Sequence, residues 1–204
     1  MDRDPIRLAC AAMVPEARLE PVASGLAPRS EGWFVVSVPE AAWLVHEHFG
    51  HRCTFEAGPP ALRGRPDEDQ TVTFDQLGIT LARLEPGRPS GLYHGESMQE
   101  DFLVLSGECI LLIEEQERRL KAFDFVHCPP GTRHAFAGAG DGPCLLLMVG
   151  TRSPERTIEY PASEVARRHG AEVHTPTTSA REAYAPLGHW RPGRPESWAG
   201  LPWA

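Results

Sequence analysis

Residues 94–134 read HGESMQEDFLVLSGECILLIEEQERRLKAFDFVHCPPGTRH, and this stretch decides how the chain is understood. It opens with His94, Glu96 and Glu100 ahead of an apolar run at 102–105, and it closes on Pro129-Pro130-Gly131-Thr132-Arg133-His134. In a strand, residues two apart share a face, so His94 and Glu96 point the same way. Glu100 keeps that parity if the intervening turn is regular. His134 arrives on another strand after a Pro-Pro-Gly turn. Two imidazoles and two carboxylates brought together this way suit one divalent metal, and they suit Fe, Mn, Ni or Zn better than a sulfur-seeking Cu(I).

Outward from this stretch, short runs rich in β-branched and leucine residues lie at 77–84, 102–105, 109–113, 123–127, 134–137 and 144–149, separated by Gly, Pro or charged turns. Such spacing predicts an all-β antiparallel sandwich or small barrel. Residues 106–108 and 114–117 read as turns. Further upstream, 33–38 is a strand candidate, and 40–49 reads as a short helix behind Pro39 with Gly50 at its end. A second strand is expected at 52–56. Residues 58–70 combine Pro, Gly and charge, which predicts an exposed loop. Helical periodicity returns only at 162–169 and 179–184, before a Trp- and Pro-rich tail whose tryptophans should pack on the barrel or on a partner. The expected organisation is an arm over 1–30, strands and a short helix over 31–76, the barrel core over 77–150 and an extension over 151–204.

At 204 residues the chain is long enough for one domain with a proper core. Its 41% hydrophobic and 24% charged content is that of an ordinary globular protein. A formal net charge of -8 with scattered arginines argues against nucleic acid, whose phosphates demand clustered cations. No run approaches the roughly 20 apolar residues of a membrane span. The N-terminus lacks the apolar stretch of a secretory signal. The five cysteines contain no CxxC pair, and their odd number points to reduced thiols and a cytoplasmic location.

On these residues the chain resembles the cupin superfamily. Its first motif reads G-x5-H-x-H-x3/4-E-x6-G. His94, Glu100 and Gly107 match, with Glu96 standing where the second histidine belongs. Its second motif reads G-x5-P-x-G-x2-H-x3-N. Pro129, Gly131 and His134 match, while Phe123 stands before Asp124 where Gly is usual and Gly138 replaces the asparagine. The resemblance spans roughly residues 77–150. It implies a double-stranded β-helix, a jelly-roll-like barrel with an N-terminal arm and a short helical, Trp-rich C-terminal extension.

The resemblance further implies one divalent metal (Fe, Mn, Ni or Zn) held by His94, Glu96, Glu100 and His134. A second arrangement stays open, with His94, Glu100 and His134 as a 2-His-1-carboxylate site and Glu96 as a general base beside it. Phe102, Val104 and Phe136 share parity with the ligands and should line an apolar substrate pocket. Tyr93 and Arg133 flank ligands and could contact an anionic substrate. The implied function is a metal-dependent enzyme acting on a small organic molecule, with dioxygenase-type oxidation first. A non-catalytic small-molecule sensor and a metal-dependent isomerase or hydrolase are the alternatives. A homodimer through exchanged strands is the expected assembly, with 33–38 and the tail as the exchanging segments. The cluster 46–51 (HEHFGH) lacks the HExxH spacing, and helical neighbours two apart would not chelate together.

Overall fold

The computed structural model describes residues 13–56 and 72–204. The loop expected at 58–70, Cys10 and the first residues of the arm lie outside the described residues. A small hairpin, β1 (Leu19–Val22) and β2 (Gly25–Pro28), precedes two larger antiparallel sheets. The first takes its strands from β3 (Trp43–His46), β4 (Gly50–Thr54), β5 (Leu77–Leu84), β7 (Glu100–Ser106), β10 (Phe125–Cys128), β12 (Cys144–Thr151) and β14 (Arg191–Pro192). They lie in the order β10-β7-β12-β5-β4-β3-β14. The second is built from β6 (His94–Glu96), β8 (Glu108–Ile113), β9 (Gln116–Lys121), β11 (Arg133–Ala139) and β13 (Ile158–Glu159), ordered β13-β6-β11-β8-β9. This all-β, jelly-roll-like arrangement is the fold the motifs imply. Two short helices, α1 (Glu164–Arg168) and α2 (Ala180–Tyr184), follow, each capped by a serine side chain at Ser163 and Ser179.

The two sheets face one another across a core that alternation builds. Ala82, Leu84, Phe102, Val104, Val126 and Leu146 from the first sheet meet Cys109, Leu111 and Phe136 from the second. Intervening residues go outward and are covered by other segments. Outside the seven-stranded sheet, Trp43, Cys53, Leu81 and Leu145 are capped by Trp198, Leu201 and Trp203 of the tail. Outside the five-stranded sheet, Tyr93, Leu112 and Ala135 lie under Val165 and Ala166 of α1. At one end of the barrel, Phe49, Leu92, Tyr160 and Ala183 gather with Tyr184 and Trp190. All three tail tryptophans therefore pack against their own chain.

Several sequence expectations need correction. Residues 40–49 hold no helix: Trp43–His46 and Gly50–Thr54 pair as a hairpin, Trp43 opposite Cys53. Trp43 and Cys53 have a buried face to fill in the sheet, which outweighs weak helical propensity. Gly50 takes φ +81 at the hairpin turn, a left-handed conformation suited to glycine. Residues 33–38 form no strand; Trp33 makes a single bridge to Glu16, and Val35 is 80% exposed. Part of the expected arm, in contrast, is the β1–β2 hairpin. The expected turn at 114–117 shrinks to Glu114 and Glu115, both at positive φ. Beyond them β9 is a strand despite its charge, because it lies at a sheet edge with nearly every side chain exposed.

Candidate metal centre

The register of β6 and β11 makes His94 and His134 direct cross-strand partners, so their side chains share one face. Their ring centroids are 5.0 Å apart. Glu100 enters from the facing sheet at the start of β7. His134 Nε2 lies 3.5 Å and His94 Nε2 3.8 Å from the same oxygen, Glu100 Oε2. One ligand atom each from His94, Glu100 and His134 falls within 4.8 Å of the others.

Both imidazoles are held by the backbone two residues earlier. His94 Nδ1 lies 2.7 Å from the Leu92 carbonyl and His134 Nδ1 3.1 Å from the Thr132 carbonyl. A carbonyl only accepts, so each Nδ1 carries a proton, and in the neutral ring it is the Nε2 lone pair that faces the site. Glu100 has no hydrogen-bond donor among the described residues. Burial, together with the neighbouring Glu96 charge, pushes its carboxyl up to about 7 against the pull of His94 and Arg156. Burial also drives His134 down to about 3, aided by the charge on His94. Burial opposes protonation of His94 too, but Glu96 and Glu100 outweigh it and raise its pKa. Three acceptor atoms facing one another this closely repel unless a cation sits among them. The donor set therefore fits a divalent ion, with two nitrogens and one oxygen in its first coordination sphere.

Glu96 shares the face of His94 but is engaged elsewhere. Arg156 Nε donates to Glu96 Oε2 at 2.6 Å and Arg156 Nη2 donates to Glu96 Oε1. Burial alone would raise the Glu96 carboxyl; the bonds from Arg156, with the pull of nearby His94, overcome it and hold it at about 2. Both of its oxygens are thus occupied by a guanidinium fork. Arg156 comes from the turn after β12, 60 residues away in sequence, and nothing in the motif announces it. Its one recognisable signal is a basic residue, Arg156 in PERT, just before the edge strand that pairs with Glu96.

The remaining expected residues divide by face. Phe102 packs edge-on against His134 at 5.0 Å and against Phe136 at 4.7 Å, so both form the floor beneath the site. Val104 lies deeper in the core. Tyr93 and Arg133 sit one residue from a ligand and therefore point the opposite way. The Tyr93 hydroxyl accepts a bond from the Glu115 N–H under α1, and Arg133 pairs with Glu159 at 2.7 Å on the surface. The structure brings neither to the site. Tyr160, whose ring is 5.7 Å from that of His94, occupies the flank instead. At the end of β10 beside the site, His127 is exposed and bonded to Asp101 while Cys128 turns inward, cross-strand from Glu100. In the 46–51 cluster the rings diverge: His46 packs between Phe49 and Trp190, and His48 Nε2 meets the Gly170 carbonyl.

The Cupin_2 family, a cupin domain, matches residues 80–150. No curated protein matches the chain. Among solved structures, the chain is similar to a sugar phosphate isomerase from a cupin superfamily of Silicibacter pomeroyi. That likeness has 29% identity over 54% of this chain and 65% of that one, with a TM-score of 0.43. A DMSP lyase from Ruegeria pomeroyi is 26% identical over 45% of this chain and 46% of that one, TM-score 0.37. A Cupin 2 conserved barrel domain protein from Salinispora arenicola is 26% identical over 38% and 64%, TM-score 0.35. The chain spans less than two thirds of each of these three.

Proposed function

The chain is a member of the cupin superfamily through residues 80–150, and from that premise we propose that it is a metal-dependent enzyme acting on a small organic molecule, with dioxygenase-type oxidation as its chemistry. The observation that carries the reading is the convergence of His94 Nε2, His134 Nε2 and Glu100 Oε2 from two facing sheets with both histidine tautomers fixed. When bound there, a divalent ion such as Fe(II) supplies Lewis acidity and open coordination positions, since only three protein atoms hold it.

The protein's own share is positioning and exclusion. The backbone carbonyls of Leu92 and Thr132 hold the imidazoles in place, and the facing sheets set Glu100 opposite them. Phe102 and Phe136 close the floor against water. Glu96, kept ionised by Arg156 and 3.6 Å from His94 Nε2, is a carboxylate beside the ligands rather than among them. With both oxygens accepting from Arg156 and its carboxyl held at about 2, it stays a fixed negative charge at the side of the centre rather than a proton acceptor.

The test is metal content and oxygen consumption measured together. Wild type purified without an affinity tag should hold near-stoichiometric metal, and the H94A/H134A double variant should hold none. The Fe(II)-loaded wild type should consume oxygen in the presence of turnover substrate, and the double variant should not. Failure of the wild type to bind Fe(II), Mn(II), Ni(II) or Zn(II) would remove the reading.

A further inference from the structure

Arg52 is a cation facing the barrel interior with no carboxylate partner among the described residues. Its orientation follows from register. Arg52 pairs with Ala82, Ala82 with Leu146, and Leu146 with Val104, and the last three belong to the core between the sheets. The next residue, Cys53, belongs to the packing on the outer face. An arginine therefore extends the row that elsewhere carries small and apolar side chains.

Its surroundings satisfy it only in part. One face of the guanidinium stacks 4.2 Å from the Trp190 ring, a favourable placement for a planar cation. Nη2 donates to the Ser90 carbonyl at 2.9 Å. The Nε and Nη1 hydrogens have no partner among the described residues, and the side chain is half-buried. Burial pulls the pKa of Arg52 down, with the Tyr184 and Tyr160 hydroxyls opposing that pull. An ion held this way, stacked but not neutralised, is rigid and still charged.

The Tyr184 hydroxyl converges on the same place. A methyl group built on Gly91 would meet that hydroxyl at 3.1 Å and Arg52 Nη2 at 4.0 Å. Glycine at 91 thus lets the Tyr184 hydroxyl, which accepts from the Leu92 N–H at 3.1 Å, sit close against this backbone beside Arg52, with its own hydrogen left to donate. From there the rings lead to the candidate metal centre: Tyr184 lies 5.9 Å from Tyr160, and Tyr160 lies 5.7 Å from His94. Gly91 precedes His94 by three residues, about 10 Å of extended chain.

Charge favours one class of ligand. Arg156 is neutralised by Glu96, and the single carboxylate of Glu100 cancels only half of a divalent ion. With Arg52 added, the metal-loaded pocket is net positive.

We infer that Arg52, with the Tyr184 hydroxyl, is the docking point for an oxyanion group, a carboxylate or a phosphate, on a small organic substrate whose other end reaches the His94–Glu100–His134 centre. The inference deepens the metal-centre reading by naming its substrate class, but the anion contact itself needs no metal. With one Nη2 hydrogen given to Ser90, one edge of the planar fork remains to meet either anion in bidentate fashion.

Calorimetric titration of the metal-free protein with acetate, and separately with inorganic phosphate, tests it. At least one should bind wild type, and R52Q should weaken it at least tenfold. R52K, which keeps the charge but loses the fork, should fall between the two, so a folding defect in R52Q alone does not decide the matter. G91A should also weaken binding by pushing the Tyr184 hydroxyl aside. The H94A/H134A variant, which removes the metal site, should bind the same anion as wild type does. Binding unchanged in both R52Q and R52K, or neither anion binding wild type, would overturn the inference. Loss of binding in H94A/H134A with retention in R52Q would place the anion on the histidines and overturn it equally. Absence of metal in wild type with anion binding lost in R52Q would defeat the metal reading and leave the Arg52 site standing.

Discussion

Arg156 and Glu96 form a two-pronged ion pair in which both carboxylate oxygens accept from one guanidinium, Nε to Oε2 at 2.6 Å. This pair separates Glu96 from the three groups it would otherwise join. A carboxylate that already accepts two charge-assisted bonds gives up both if it turns to a metal.

Breaking that pair from one side should be costly. The R156M variant leaves Glu96, 8% exposed, without its counter-ion, and should lose about 3–5 kcal/mol of stability. The E96Q/R156M double variant should lose less than the sum of the two single changes. Denaturant unfolding of all four proteins in a double-mutant cycle reads the coupling directly; strict additivity would show that the pair is not formed in solution.

Metal-free stability should depend on pH through Glu100. Its folded pKa, about 7, lies above the ordinary carboxylate value. The folded state therefore holds a proton that the unfolded chain has released, and stability from this group falls as pH rises from about 4.5 to 7. E100Q removes that dependence. Without metal, E100Q should be more stable than wild type at pH 8, by on the order of 2–3 kcal/mol, and the difference should shrink toward zero at pH 4. Glu96 acts in the opposite sense: its depressed pKa contributes stability above about 4.5 that is lost as pH falls toward 2. A difference between E100Q and wild type that stays constant across pH would contradict the assignment of Glu100 as the uncompensated buried acid.

Phe123 should be replaceable with profit. It adopts φ +73 while 81% exposed, so it bears left-handed strain with little packing in return. F123G should stabilise the protein by about 0.5–1 kcal/mol, the relief of strain outweighing the added freedom of the unfolded chain. Thermal unfolding of the two proteins checks it; a lower Tm for F123G would show that the exposed ring makes contacts that matter.

The tail should be part of the fold. Trp43 is fully buried with the Trp198 ring edge-on to it at 5.3 Å. W43A should cost about 3–5 kcal/mol, and W198A less, since Trp198 is only partly buried. A W198A protein as stable as wild type would mean the tail merely lies on the barrel.

How far the sequence speaks for itself varies along the chain. Leu77–Leu84 is legible as a strand because it is a short apolar run bounded by turn residues, although both of its faces are covered at Leu81–Leu84. The strands around the ligands are legible because alternation agrees with burial there. The ligand motifs are legible because short-range parity fixes which residues share a face; the same parity shows why Tyr93 and Arg133, one residue from ligands, face away. The hairpin at Trp43–Thr54 is not legible, since HEHFG in the middle of an apolar run reads equally as helix or turn. The edge strand β9 hides behind its charges. Arg156 and Arg52 are hard to find in the sequence: Arg156 reaches Glu96 across 60 residues and Arg52 reaches the Ser90 carbonyl across 38, and the one local mark is the place of Arg156 just before an edge strand. Phe123 and Gly138, which depart from the motif, behave differently on inspection. Phe123 keeps the positive φ that glycine would favour. Gly138 is required, because a Cβ there would meet the Glu85 carbonyl at 2.2 Å.

The most direct test of the account compares metal content in E96Q and E100Q after reconstitution with Fe(II), Mn(II), Ni(II) and Zn(II), both beside wild type. A centre built on His94, Glu100 and His134 predicts near-stoichiometric metal in wild type and E96Q, and loss in E100Q. Metal lost from E96Q as readily as from E100Q would make Glu96 a fourth ligand and contradict the separation that Arg156 imposes.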